Sequence, residues 1–76
     1  MINLEHIDLS SNEIENIEYL KNMKKLKVLN LNGNKITDIS PLAELWNLEE
    51  VFLNDNNISQ TASFEKLSKL KKFETR

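Results

Sequence analysis

Apolar residues recur along this chain at a fixed spacing of 22 positions. Leu4, Leu26, Leu48 and Leu70 form one column, Ile7, Leu29, Val51 and Phe73 the next, and Leu9, Leu31 and Leu53 a third. The columns run on through Ile14, Ile36 and Ile58, then Ile17, Ile39 and Thr61, then Leu20, Leu42 and Phe64, and finally Met1, Met23, Leu45 and Leu67. Such self-similarity marks a solenoid, whose single repeat is too small to bury its own apolar face and must stack on its neighbours. Within a repeat two periods alternate. Leu26-Lys27-Val28-Leu29-Asn30-Leu31 alternates buried and exposed positions with the period of a half-buried strand. This predicts short parallel strands over 6–10, 28–32, 50–54 and 72–76. The spacing of Ile39, Leu42 and Leu45 is that of a helical or 3₁₀ turn, which returns the chain across the opposite side. Ser40 and Pro41 fit the N-cap and first position of that turn, because proline lacks an N–H that would be unbonded there anyway. The other repeats carry Glu18-Tyr19 and Ala62-Ser63 at these positions, so looser returns are expected there.

One polar column interrupts the apolar ones. Asn12, Asn34 and Asn56 each lie between two inward positions. An amide carries donors and acceptors, so it can satisfy backbone groups stranded at a bend, and repeated at one phase it makes a ladder. A buried amide without partners costs on the order of 1–3 kcal/mol. The plainer reading is a turn asparagine chosen for local backbone preference. The single glycine, Gly33, relieves the turn before Asn34.

With 76 residues the chain reads as one unit of about three and a half repeats, approximately 4–25, 26–47, 48–69 and a partial 70–76. Its net charge is −2, and lysines such as Lys21, Lys24, Lys25 and Lys27 are interspersed with acidic residues, which suits a solvated face and not nucleic-acid binding. No apolar run approaches the roughly 18 residues of a membrane span. With no cysteine and one histidine, neither a disulfide framework nor a nitrogen or sulfur metal site is expected, and no cofactor is implied. Asp8 and Glu74 stand three strands apart in one column and Glu50 in another, without a shaped loop for Ca²⁺. His6, Asp8 and Ser10 share one strand face and contain the residue types of a hydrolase triad. The histidine would have to stand between the other two, whereas His6 and Ser10 are about 13 Å apart along a strand. No catalytic set is therefore assigned.

Stacked strands let the exposed face be read directly. Its columns are His6, Val28, Glu50, Lys72; Asp8, Asn30, Phe52, Glu74; and Ser10, Asn32, Asn54, Arg76. Val28 and Phe52 are diagonal apolar neighbours within a polar surround, the composition of a small binding hot spot. His6, Asp8, Val28, Asn30, Glu50 and Phe52 are thus the candidate partner-binding residues; alternatively, Phe52 only stiffens the sheet. Trp46 is a candidate second contact, or else covers aliphatic stems beside the turn. Tyr19 is expected to pack locally against Leu20 and Met23.

These columns resemble a leucine-rich repeat over essentially the whole chain. The middle repeat, Asn34-Lys35-Ile36 followed by Asp38-Ile39-Ser40-Pro41-Leu42-Ala43, is similar to the 22-residue repeats of bacterial internalins. The 22-residue repeats of eukaryotic phosphatase-regulatory proteins are similar as well. The resemblance implies an α/β fold: a right-handed solenoid with short parallel β-strands on the concave side, helical, 3₁₀ or irregular turns on the convex side, and use as a non-catalytic protein-binding platform. A structural spacer within a longer array is the alternative. An internalin-like relationship implies secretion or display at a cell surface, and otherwise the cytoplasm. Thr61 and Thr75 depart from the apolar columns, and the capping elements usual in the family are missing. The chain therefore reads as a piece of a longer array, or as one whose ends are covered by a partner or another copy, giving a homo-oligomer.

Overall fold

The computed structural model describes residues 3–59 and 67–75. Four strands, β1 (His6–Asp8), β2 (Val28–Asn30), β3 (Glu50–Phe52) and β4 (Lys72–Glu74), form one sheet in chain order. Every pairing is parallel and its register is a 22-residue step: Ile7 opposite Leu29, Leu29 opposite Val51, Val51 opposite Phe73. β1 and β2 are each followed by a return segment that brings the chain back to start the next strand in the same direction, the right-handed crossover expected of parallel strands.

The strands are three residues long where five were expected. Parallel bonding does continue, with Leu9 N–H donating to Asn30 O at 2.8 Å and Ser11 N–H to Asn32 O at 2.8 Å. The chain then turns at a column the alternation does not mark. Ser11, Gly33 and Asp55 all adopt the left-handed region, with φ of 59°, 72° and 59°. Gly33 meets this demand without a Cβ; one built there would lie 3.4 Å from the Ser11 backbone nitrogen.

Among the described residues the return segments contain two 3₁₀ turns, Glu18–Asn22 and Ser40–Glu44. Their apolar period of three is the period of that helix, in which residues i and i+3 eclipse. The hydrogen bonds follow the core columns from residue to residue: Leu20 N–H to Ile17 O at 3.0 Å, Met23 to Leu20 at 2.9 Å, Leu26 to Met23 at 3.1 Å, and equally through Ile39, Leu42, Leu45 and Leu48. The capping expectation needs correction. Ser40 is the first residue of its turn and Pro41 the second, and the side chain that receives an orphan N–H is Asp38, whose Oδ1 accepts from Ser40 N–H at 2.9 Å. Asn16 does the same for Glu18 N–H at 2.8 Å. With that cap the first return forms as regular a 3₁₀ turn as the second. Ala62-Ser63, Thr61 and Phe64 lie outside the described residues, as do Met1 and Arg76.

Leu26, Leu29, Leu31, Ile36, Leu42, Leu45, Leu48, Val51 and Leu53 make a core with no exposed surface. Their equivalents in the first coil, Ile7, Leu9 and Ile14, are only half-buried, and Leu4 is 36 % exposed. Lysines and carboxylates line the outside in exposed pairs, such as Lys27 with Glu5 at 3.5 Å and Lys71 with Glu49 at 3.7 Å. Among the described residues no helix is long and apolar enough to cross a membrane.

Candidate functional site

Sheet register fixes which side chains share the exposed face. Val28 lies opposite Glu50 and Asn30 opposite Phe52, so these four candidates occupy one small square across β2 and β3, with Val28 and Phe52 on its diagonal. All four are partly exposed. His6 and Asp8 stand on the neighbouring strand, opposite Val28 and Asn30, and are more open to solvent.

The polar groups of this face are tied to its own backbone. Asp8 Oδ1 accepts Ser10 Oγ–H at 2.6 Å and Ser10 N–H at 3.0 Å, and these bonds hold its carboxyl below the usual carboxylate value. Asp8 thus bonds to the serine and not to the histidine. Asn30 Oδ1 accepts Asn32 N–H at 3.0 Å, and Asn32 Oδ1 accepts Asn54 N–H at 2.7 Å, one coil along. Asn54 Nδ2 donates to Glu74 Oε1 at 3.2 Å. Phe52 has the Lys72 ammonium 5.8 Å from its ring centroid, and that ammonium lies 3.8 Å from Glu74 Oε2. Lys72 and Glu74 therefore belong to the patch although the candidate set omitted them. Their columns already placed them beside Glu50 and Phe52, which is the signal that could have added them.

At the bend, the asparagines bridge successive coils. Asn34 Nδ2 donates to Leu31 O at 2.9 Å within its coil and to Leu9 O at 3.1 Å in the preceding one, while its Oδ1 accepts Ile14 N–H at 3.1 Å. Asn56 repeats this geometry toward Leu31 O at 2.8 Å and Ile36 N–H at 3.1 Å. Among the described residues Asn12 bonds within its own coil, to Leu9 O at 2.9 Å and Ser10 O at 3.2 Å. Asn34 is correspondingly buried and Asn12 exposed.

Trp46, just beyond the second 3₁₀ turn, is 64 % exposed. Lys24 Nζ stands 5.6 Å from its ring centroid and also reaches Glu44 Oε1 at 3.5 Å. Tyr19, expected to pack locally, keeps 53 % of its surface exposed. A hollow of about 300 Å³ opens beside the 3₁₀ turns, lined by Glu15, Glu18, Thr37, Asp38 and Pro41 among others. Among the described residues no three His, Cys, Asp or Glu side chains are grouped to hold a metal ion.

Comparison with known proteins agrees with this geometry. The crystal structure of an internalin, InlF, from Listeria monocytogenes superposes with a TM-score of 0.87 at 30 % identity, covering 91 % of this chain and 20 % of that one. Internalin C2 from the same organism superposes with a TM-score of 0.74 at 26 % identity, covering 97 % of this chain and 42 % of that one. This chain thus spans a fifth to two-fifths of the length of those two structures. A search among curated proteins finds no significant match. The family described as "Leucine Rich repeats (2 copies)" matches residues 2–44. With the parallel register, the 3₁₀ returns and more than half its length matched, the chain belongs to the leucine-rich repeat family.

Proposed function

We propose that the concave sheet binds a protein, with Val28, Asn30, Glu50 and Phe52 at the centre of the contact and His6 and Asp8 along one margin. Leucine-rich repeat domains generally mediate protein–protein interaction, which supplies the class of function. The observation that carries the specific reading is the partly exposed Phe52–Val28 diagonal at the middle of a sheet face that is otherwise polar. An apolar anchor inside a polar rim is where binding energy concentrates. Asp8, Glu50 and Glu74 outnumber Lys72 around it, so the partner segment that fits presents an apolar side chain flanked by basic residues. The coils over approximately 4–25, 26–47, 48–69 and 70–76 act in this reading as one unit.

Area limits the strength of the contact. Four strands with three outward residues each outline about 200 Å², against about 800 Å² per partner in a standard interface. This favours a second reading, in which the coils are structural members of a larger binding surface. A displayed peptide library selected on the immobilised 76-residue chain separates the two. Selected peptides should bind Phe52→Ala at least about tenfold more weakly and bind Trp46→Ala unchanged. Equal binding to wild type and Phe52→Ala removes the proposed centre; loss with Trp46→Ala instead moves the contact to that side.

A further inference from the structure

We infer that the Phe52 position of the sheet takes an arginine side chain of the partner protein, and that Lys72 is an internal stand-in which that arginine displaces. This rests on the concave face being the binding surface, and adds to it the chemistry of the partner and a residue that opposes its binding.

Register gives Phe52 two diagonal neighbours on the exposed face, Val28 on β2 and Lys72 on β4, with Glu50 opposite both of them and Glu74 opposite Phe52 itself. One diagonal neighbour is apolar and the other cationic. Lys72 Nζ stands 5.8 Å from the Phe52 ring centroid and 3.8 Å from Glu74 Oε2, so an ammonium already occupies the place between an aromatic ring and a carboxylate. That carboxylate is held by its other oxygen, since Glu74 Oε1 accepts Asn54 Nδ2–H at 3.2 Å. It keeps its position when the ammonium leaves, which makes it a preorganised acceptor. Among the described residues of the three outward columns Lys72 is the one lysine or arginine, against Asp8, Glu50 and Glu74. The face therefore favours a cation from outside.

Lys72 holds this place weakly. Its side chain is 56 % exposed, and an exposed ion pair gains little over two hydrated charges. An ammonium over an exposed ring gains little more. Swinging the lysine into solvent therefore costs little, and what replaces it need only do slightly better. A guanidinium does so, because its planar face stacks on the ring while the N–H groups along its edge bond the carboxylate. A partner's lysine offers only the contacts that Lys72 already makes, so the exchange favours arginine. Glu50, opposite Lys72 in the register, adds a second carboxylate beside the incoming charge. An apolar residue next to the arginine then meets Val28.

Peptides selected from a displayed library on the immobilised 76-residue chain, titrated at about 0.15 M salt, are the probe. They should carry an arginine whose replacement by citrulline, its neutral isostere, weakens binding about tenfold. Lys72→Ala should bind them about threefold more tightly than wild type or better, and Lys72→Glu more tightly still. The citrulline peptides should not distinguish Lys72→Ala from wild type. Lys71→Ala removes the same charge one residue away and should leave the affinity unchanged. Tighter binding by the Lys72 variants also shows that they are folded. Peptides that need Phe52 but lack arginine, a Lys72→Ala chain that binds no more tightly than wild type, a citrulline peptide that responds equally, or a Lys71→Ala chain that gains as much would each overturn this inference and leave the concave contact standing. Peptides indifferent to Phe52→Ala, or a selection that yields none, would remove both.

Discussion

The first and second coils carry much the same residues in the same columns, yet they differ in burial on the strand side, while on the return side Ile17 and Leu20 are as buried as Ile39 and Leu42. Leu9 and Leu31, and likewise Asn12 and Asn34, are identical pairs one repeat apart. Leu31 has no exposed surface while Leu9 is half-buried; among the described residues Asn34 bonds to the coil before it while Asn12 bonds within its own. On the strand side, identical side chains are therefore buried to different extents according to the described coils around them.

The largest consequence concerns the leucines. Leu31→Ala should lose about 3 kcal/mol or more, within the range for a fully buried leucine, whereas Leu9→Ala should lose roughly half as much; chemical denaturation of the two variants measures the gap. Equal losses would mean that the first coil is as enclosed as the second. The asparagines give a smaller contrast. Asn34→Ala strands Ile14 N–H and leaves Leu9 O and Leu31 O with one amide donor each, from Asn12 and Asn56, and should lose about 1–3 kcal/mol, with Asn12→Ala below about 1 kcal/mol. Asn32 sharpens this pair. It belongs to the exposed face, yet its Oδ1 caps Asn54 N–H, so Asn32→Ala should fall between the two and not at zero.

How far the sequence discloses the molecule follows the same division. The apolar columns specify the parallel register in full, because stacking places residue i against i+22 and a slip of one position would turn every inward side chain to solvent. The three-residue apolar spacing marks the return turns but leaves helical and 3₁₀ geometry open; the structure makes Glu18–Asn22 and Ser40–Glu44 3₁₀. Strand length was not legible, since alternation persists through Leu9 and Leu31 while the bend is set by φ at Ser11, Gly33 and Asp55. Only the glycine among these announces a left-handed position; serine and aspartate adopt it under the geometry of the stack. The cap was misplaced because Ser40 and Asp38 are both good capping residues, and the 3₁₀ turn begins one residue earlier than an N-cap at Ser40 requires. Of the exposed face, membership was readable from the alternation but the contact of Lys72 with Phe52 was not, because it depends on side-chain reach across strands.

The smallest effect contrasts the two 3₁₀ turns. Asp38 accepts Ser40 N–H and, less strongly, its hydroxyl, which lowers its carboxyl below the ordinary 3.8; Asn16 serves the first turn without a charge. A carboxyl lowered by folding stabilises the fold above its unfolded pKa, and that stabilisation is lost as pH falls through the folded value. Stability of the wild type should thus decline as pH drops below about 4 more steeply than that of Asp38→Asn, which keeps an amide cap. Parallel acid titrations of the two that coincide would remove the charge from the account of this turn.

The stacked register is tested most directly by nuclear Overhauser contacts between backbone protons of neighbouring strands. Column mates in adjacent strands lie about 4.8 Å apart and those two strands away about twice that. Contacts should therefore link the Ile7 and Leu29 positions, Leu29 and Val51, and Val51 and Phe73, with none between Ile7 and Val51. A contact joining Ile7 directly to Val51, or none between Ile7 and Leu29, would contradict the stack.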